Sequence, residues 1–307
     1  LVYYGDVTGD DMQAVSSTKR VANYYRFNFT KDDNPSSHWS YLYSIIQNCN
    51  LILMNIDKLV IDEDDKAYRD DLKGEALAIR GLALFDLTRI FGYPYLKDDG
   101  ASLGVPIIEG LSTIDSKPTR NTVAQCYTKI IDDLTQSLSL LGEKFNKGKI
   151  NKWGAMVLLS RVYLYKGENA NALKMASDAI IGAEKNKYAL WTNEDYPTAW
   201  GEDASASKPG EVLFEIVNLT TDSPGKESMG YLNSYDGYDD MCITCSFYQF
   251  LKEDPKDIRL KLLSFDKKYY AYVNKYQPQR EENIEDANIP LIRLSEAYLN
   301  AAEAAVK

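Results

Sequence analysis

The chain has 307 residues, 45% of them hydrophobic, and 45 acidic against 35 basic side chains give it a net charge of −10. It is long enough to bury a substantial core in one large domain or two. Its acidity argues against nucleic acid, whose phosphates need clustered Lys and Arg, and no run approaches the roughly 18 apolar residues of a membrane-spanning helix.

Residues 1–37 are polar, broken by Gly5, Gly9 and Pro35, and predict a short helix around Asp11–Ser17 followed by extended chain. The sequence opens at Leu1 without a signal peptide or lipidation Cys and stops at Lys307 inside an apolar helical pattern, so a fragment or processed form is expected. From His38 to Asp57, Trp39, Leu42, Tyr43, Ile46, Cys49, Leu53 and Ile56 recur at three and four and predict a helix. A central helix is predicted from about Ala67 to Phe91, apolar over so wide an arc that it must be buried from more than one side. Gly92 stops it and Pro94 prevents its resumption. Thr119 or Asn121 is expected to cap the next helix, which carries Val123, Tyr127, Ile130, Leu134 and Leu138.

The next pair of helices is the most diagnostic local pattern. Measured from Tyr163, Gly167 follows at four, Ala172 at nine and Ala179 at sixteen, offsets that match one tetratricopeptide repeat. Composition shifts at about Tyr188, and residues 191–289 are punctuated by Pro197, Gly201, Pro209, Gly210, Pro224, Gly225, Gly230, Gly237, Pro255 and Pro278 between short apolar runs. Glu211–Val217 and Lys267–Tyr276 read as strands, and Ser246–Leu251 as the start of a short helix. Pro290 is expected at the first position of a last helix carrying Leu294, Ala297, Tyr298, Ala301 and Ala305. The fold class predicted is mainly α: a tetratricopeptide-like repeat scaffold (1–190 and 290–307) with a loop-rich insertion (191–289) containing short strands, all in one domain.

Cys49 and Cys126 read as small core residues, and the single Cys242-x-x-Cys245 reads as structural or disulfide-forming, because zinc needs two more ligands and His38 is the only histidine. Arg80, Glu75, Arg293 and Glu296 lie in apolar helical contexts and read as buried or half-buried ion pairs that fix helix register. Part of the 23 tyrosines must be core, and a chain this rich in amphipathic rings could present others on loops, where they suit the C–H faces of sugars. Two places fit such binding. One is the turn bearing Asn34, His38 and Trp39, although Trp39 also reads as core. The other is Gly230–Asp240, which sets Tyr231, Tyr235 and Tyr238 among Asn233 and three aspartates. Trp191 and Trp200 flank a third, weaker candidate. Asp239 and Asp240 could join a calcium site with backbone oxygens, but they match no EF-hand loop, and no cofactor is expected.

Four ordered segments carry a family likeness: Trp39-x-x-x-Tyr43 through Asn50; Gly74-Glu-Ala-x-Ala-x-Arg80 through Phe91-Gly92-x-Pro94; Lys152-Trp-x-Ala155 through Gly167; and Ile289-Pro-Leu-Ile-Arg293-Leu-x-Glu296-x-Tyr298-Leu through Ala304. In these the chain resembles the SusD/RagB family, glycan-binding lipoproteins of the Bacteroidetes outer membrane. The resemblance implies four tetratricopeptide-like helix pairs with a loop-borne glycan site, and no catalysis. It also implies surface exposure at the outer membrane, an N-terminal lipid anchor, and a SusC-like TonB-dependent transporter as partner. A repeat scaffold for protein partners and a carbohydrate-active enzyme are the alternatives; the single His and the lack of a phosphate loop weigh against the enzyme.

Overall fold

A computed structural model describes residues 5–30, 36–113, 115–146, 148–201, 209–219, 221–278 and 284–307. Two compact units divide the chain: one comprises residues 36–190, 208–215 and 291–307, the other residues 1–35, 191–207 and 216–290.

The first unit is built on α1 (Ser36–Asn55), α2 (Lys66–Phe91), α3 (Val123–Leu138), α4 (Lys152–Lys166), α5 (Asn169–Lys185) and α6 (Leu294–Val306). Each of α1 to α5 packs against the next, and α6 lies on α5 and α4. Leu84, Phe85 and Leu87 of α2 are buried with Ile130 and Leu134 of α3, and with Leu158 and Leu159 of α4. The wide apolar arc of α2 therefore serves neighbours on both sides, as its pattern requires. Thr122 caps α3 in a reciprocal box, its Oγ1 accepting from Gln125 N at 3.2 Å while Gln125 Oε1 accepts from Thr122 N at 2.9 Å. That places the cap one residue beyond the later of the two expected positions.

The α4–α5 pair bears out the tetratricopeptide-like offsets. Gly167 closes α4 in the left-handed region at φ +81°, with Glu168 N donating to Tyr163 O at 2.9 Å. Ala172, Ala176, Ala179 and Ala183 form a fully buried row along α5. Trp153 of α4 lies on the bare backbone of Gly182, where a Cβ would sit 2.1 Å from the indole.

The expected ion pairs exist, with partners the sequence did not name. Arg80 forks onto Asp133 at 2.8 and 2.6 Å and donates to Asn50 Oδ1 at 2.8 Å. Glu75 accepts from Lys149 at 3.1 Å, Arg161 grips Glu296, and Arg293 donates to Glu211 at 2.8 Å.

Short strands are β1 (Met12–Ala14), β2 (Val212–Ile216), β3 (Met241–Ile243), β4 (Leu263–Phe265), β5 (Ala271–Val273) and β6 (Ile289–Arg293). They form two-stranded sheets β1–β3, β2–β6 and β4–β5. Two sequence expectations fail here. Met12–Ala14 is a strand, not a helix, because it pairs antiparallel with β3, Met12 opposite Ile243. Pro290 lies inside β6, and α6 begins four residues later at Leu294. A two-stranded sheet consists only of edges, where a residue without an N–H is tolerated.

In the second unit Val7, Met12, Val21, Met241, Ile243 and Ala271 form a small core. Val7, Met12 and Val21 thus pack with the loop-rich segment, whereas the sequence expectation joins this N-terminal stretch to the helices.

Cys242 lies buried in the middle of β3 opposite Gln13, its Sγ accepting from Gln13 Nε2 at 3.6 Å, and Cys245 is exposed; neither is in a disulfide. Cys49 and Cys126 are buried, as expected of core residues. Burial pushes the Cys49 thiol up to about 11 and raises Cys126 and Cys242 as well. Since the thiolate is the reactive form, a thiol reagent at mildly alkaline pH should modify one cysteine rapidly in the native protein and all four in denaturant. Mass spectrometry should find the native label on Cys245; a label on Cys242 would contradict the β1–β3 packing.

Candidate functional site

The Tyr231–Tyr238 segment is held at both ends by backbone and hydroxyl contacts. Ser228 caps the short helix Met229–Asn233 by accepting from Tyr231 N at 3.2 Å, and its hydroxyl donates to Ile284 O at 3.0 Å. Asn233 is buried and returns its amide to Met229 O at 2.9 Å, so it belongs to the helix and not to the surface. The loop then folds back: Gly237 N donates to Ser234 O at 3.2 Å, and Tyr238 N to Tyr231 O at 3.3 Å. Asp239 follows in the left-handed region at φ 52°.

The three tyrosines take different roles. Tyr231 and Tyr238 meet edge to face with centroids 5.1 Å apart. The Arg20 guanidinium lies 3.7 Å from the Tyr238 ring centroid and covers one face, while the Tyr238 hydroxyl donates to Glu227 at 3.0 Å. That donation to a carboxylate raises the Tyr238 hydroxyl above the ordinary tyrosine value. Tyr235 touches Tyr272 at 5.7 Å and leaves 40% of its surface to solvent. Tyr272 is fully buried and donates to Asp239; burial first, and that carboxylate second, push its pKa far up.

Two basic residues that the sequence reading passed over organise this surface. Arg20 donates to Asp240 at 2.9 Å and to Glu227 at 3.3 Å; Lys19 donates to Tyr238 O at 2.9 Å and lies 3.2 Å from Asp239. Nothing in the local pattern around Lys19 and Arg20 signals partners more than two hundred positions away. Asp239 is thus paired with Lys19 and the Tyr272 hydroxyl, and Asp240 with Arg20. Among the described residues no cluster of three or more His, Cys, Asp or Glu side chains could hold a metal.

The remaining candidates lie on other elements of the chain. Trp200 is buried at 5% exposure in a three-ring cluster with Trp191 at 5.0 Å and Tyr196 at 5.6 Å, and Lys275 Nζ lies 4.6 Å from its ring. It offers no surface face. His38 and Trp39 lie on α1 of the other unit, both half-buried, and Trp39 packs edge to face on Phe91 at 4.9 Å and against Tyr43 at 5.0 Å. Trp39 thus packs one side of its ring on the core while remaining half-buried. Asn34 lies outside the described residues.

A family model described as "Starch-binding associating with outer membrane", of the SusD-like type, matches residues 2–164. The chain belongs to the SusD-like family. A candidate sugar-binding protein from Bacteroides vulgatus is 82% identical with a TM-score of 0.95, over 99% of this chain and 68% of that one. A SusD superfamily protein from Bacteroides thetaiotaomicron is 37% identical with a TM-score of 0.89, over 99% of this chain and 70% of that one. A SusD-like protein of Bacteroides ovatus is 28% identical over 135 residues, which span 43% of this chain and 23% of that protein's length. The SusD-like helical scaffold with small sheets is therefore this chain's fold. Among the described residues no helix is long and apolar enough to cross a membrane.

Proposed function

We propose that this SusD-like chain is a non-catalytic glycan-binding protein of the outer-membrane surface, and that it passes oligosaccharide to a SusC-like TonB-dependent transporter. The glycan contacts the Tyr231–Tyr238 surface. The observation that carries this reading is Tyr235: an exposed ring, backed by Tyr272, in a loop fixed by Ser228, Lys19 and Arg20. A prepositioned aromatic face loses little conformational entropy when a pyranose ring settles on it. The exposed Asp236 beside it supplies acceptors for hydroxyl groups. A lipid anchor, as in the family, would hold the protein at the membrane.

The test is calorimetric titration with maltohexaose, laminarihexaose and a xyloglucan oligosaccharide. The first follows the family's description; a laminarin-binding SusD-like protein and a structure with xylogluco-oligosaccharide are fold neighbours at 20% and 18% identity and suggest the other two. Tyr235→Ala should weaken binding of the preferred glycan by about tenfold or more, roughly 1.4 kcal/mol, with the melting temperature unchanged. Wild-type affinity in Tyr235→Ala would remove the loop from the site. New reducing ends appearing during incubation would overturn the non-catalytic reading, and failure to co-purify with a co-expressed transporter would overturn the delivery step.

A further inference from the structure

The first unit contains a cleft that the tyrosine loop does not use. Its volume is about 580 Å³, within the roughly 300–1,000 Å³ of small-molecule sites, and it lies between the first half of α1 and the Pro106–Pro118 segment. We propose that this cleft is a second binding site for a neutral saccharide.

The lining chemistry selects that class. Four hydroxyls (Ser40, Ser44, Ser112, Ser116) and two amides (Gln47, Asn48) face the space. Trp39, Tyr43, Pro106 and Pro118 add ring surfaces. None of these side chains is ionised, and α1 carries no Asp, Glu, Lys or Arg along its 20 residues. A charged ligand would be desolvated here without a counter-charge, and a purely apolar one would strip water from the hydroxyls and amides without replacing it. A polyhydroxylated ring with C–H faces meets both surfaces.

The cleft is also built to stay open. Tyr43 donates its hydroxyl to Pro106 O at 2.7 Å, and Asn50 donates to Ile108 O at 2.8 Å and Gly110 O at 3.0 Å. Gln47 donates to Ser112 Oγ at 2.9 Å and accepts from Ser112 N at 3.2 Å. These tethers hold the loop wall on α1 before any ligand arrives, so little ordering cost remains at binding. Phe91 fixes Trp39 from the core side.

The proposal rests on the sugar-binding reading only for its choice of probes. The experiment follows the indole N–H resonance of Trp39 in ¹⁵N-labelled protein while maltohexaose, laminarihexaose or the xyloglucan oligosaccharide is added. With at least one of them the resonance should move and saturate, in the wild type and equally in Tyr235→Ala. Ser44→Tyr, which fills the cleft from an exposed helix position, should weaken that response by about tenfold or more while leaving the other tryptophan resonances and the Tyr235-dependent binding unchanged. A Trp39 resonance that none of the three moves overturns the second site, whatever the tyrosine loop does. So does a Trp39 response that is lost in Tyr235→Ala, or one that Ser44→Tyr leaves intact.

Discussion

Asp133→Ala should destabilise the helical unit by about 3–5 kcal/mol, the cost of leaving one charge of a buried pair uncompensated. Asp133 is fully buried and receives both arms of the Arg80 fork, and Lys129 Nζ lies 3.2 Å from the same carboxylate. Its removal strands a guanidinium whose side chain is only 9% exposed, with Asn50 as the remaining acceptor. Three helices meet in this cluster, because Arg80 is on α2, Asp133 on α3 and Asn50 on α1. The loss should therefore appear as faster hydrogen exchange in all three, with the midpoint of urea unfolding lowered. Exchange is the safer readout, since a chain of two compact units need not unfold in one step. The double variant Arg80→Met with Asp133→Leu removes both charges and should recover much of the loss, because an apolar pair of similar volume avoids the desolvation cost. A loss below about 1 kcal/mol in Asp133→Ala would mean that water reaches the pair and that it is a surface bridge in energetic terms.

This cluster also marks where the sequence stopped being legible. Periodicity at three and four located α2 to within a residue of its start, and the Tyr163–Ala179 offsets located the α4–α5 turn, because those signals are local and repeated. That Arg80 would be buried and paired could be read from its apolar flanks. That its partner would be Asp133, 53 positions on, could not, since only the packing of α2 on α3 decides it. The same limit explains β1. Three residues carry too little pattern to reveal that they will pair with a strand 229 positions away, and the polar stretch Asp11–Ser17 suits a helix equally well. Among the aromatics, Trp200 and Tyr235 look alike in sequence, one beside Pro197 and Gly201 and the other between Gly230 and Gly237. One is enclosed by Trp191 and Tyr196 and the other left open, and long-range contacts alone set that difference. Arg20 over Tyr238 is invisible for the same reason.

Gly237→Ala should weaken binding at the tyrosine surface by about tenfold or more while leaving the helical unit intact. A Cβ at Gly237 would lie 2.0 Å from Tyr231 O and 2.9 Å from Tyr231 C, a collision with backbone that no rotamer change relieves. The short helix Met229–Asn233 is pinned by Ser228 and cannot retreat, so the loop itself must shift and break the Tyr238 N to Tyr231 O bond. Overpacking of this kind costs about 1–3 kcal/mol. The larger consequence is geometric. Moving Gly237 displaces Tyr238 from beneath Arg20 and Tyr235 from Tyr272, and with them the face that a sugar ring must meet. Affinity for the preferred glycan should fall by tenfold or more, about 1.4 kcal/mol or more. Gly225→Ala is the control: Gly225 has a positive φ of 59° but open space around its Cβ position, so the variant carries backbone strain of about 1–2 kcal/mol without a collision. It should keep the wild-type affinity. Equal binding losses in both variants would mean that general loosening of the loop-rich unit, and not the position of the tyrosine faces, controls recognition. A loss confined to Gly237→Ala would tie affinity to one carbonyl, Tyr231 O, and to the loop that folds back upon it.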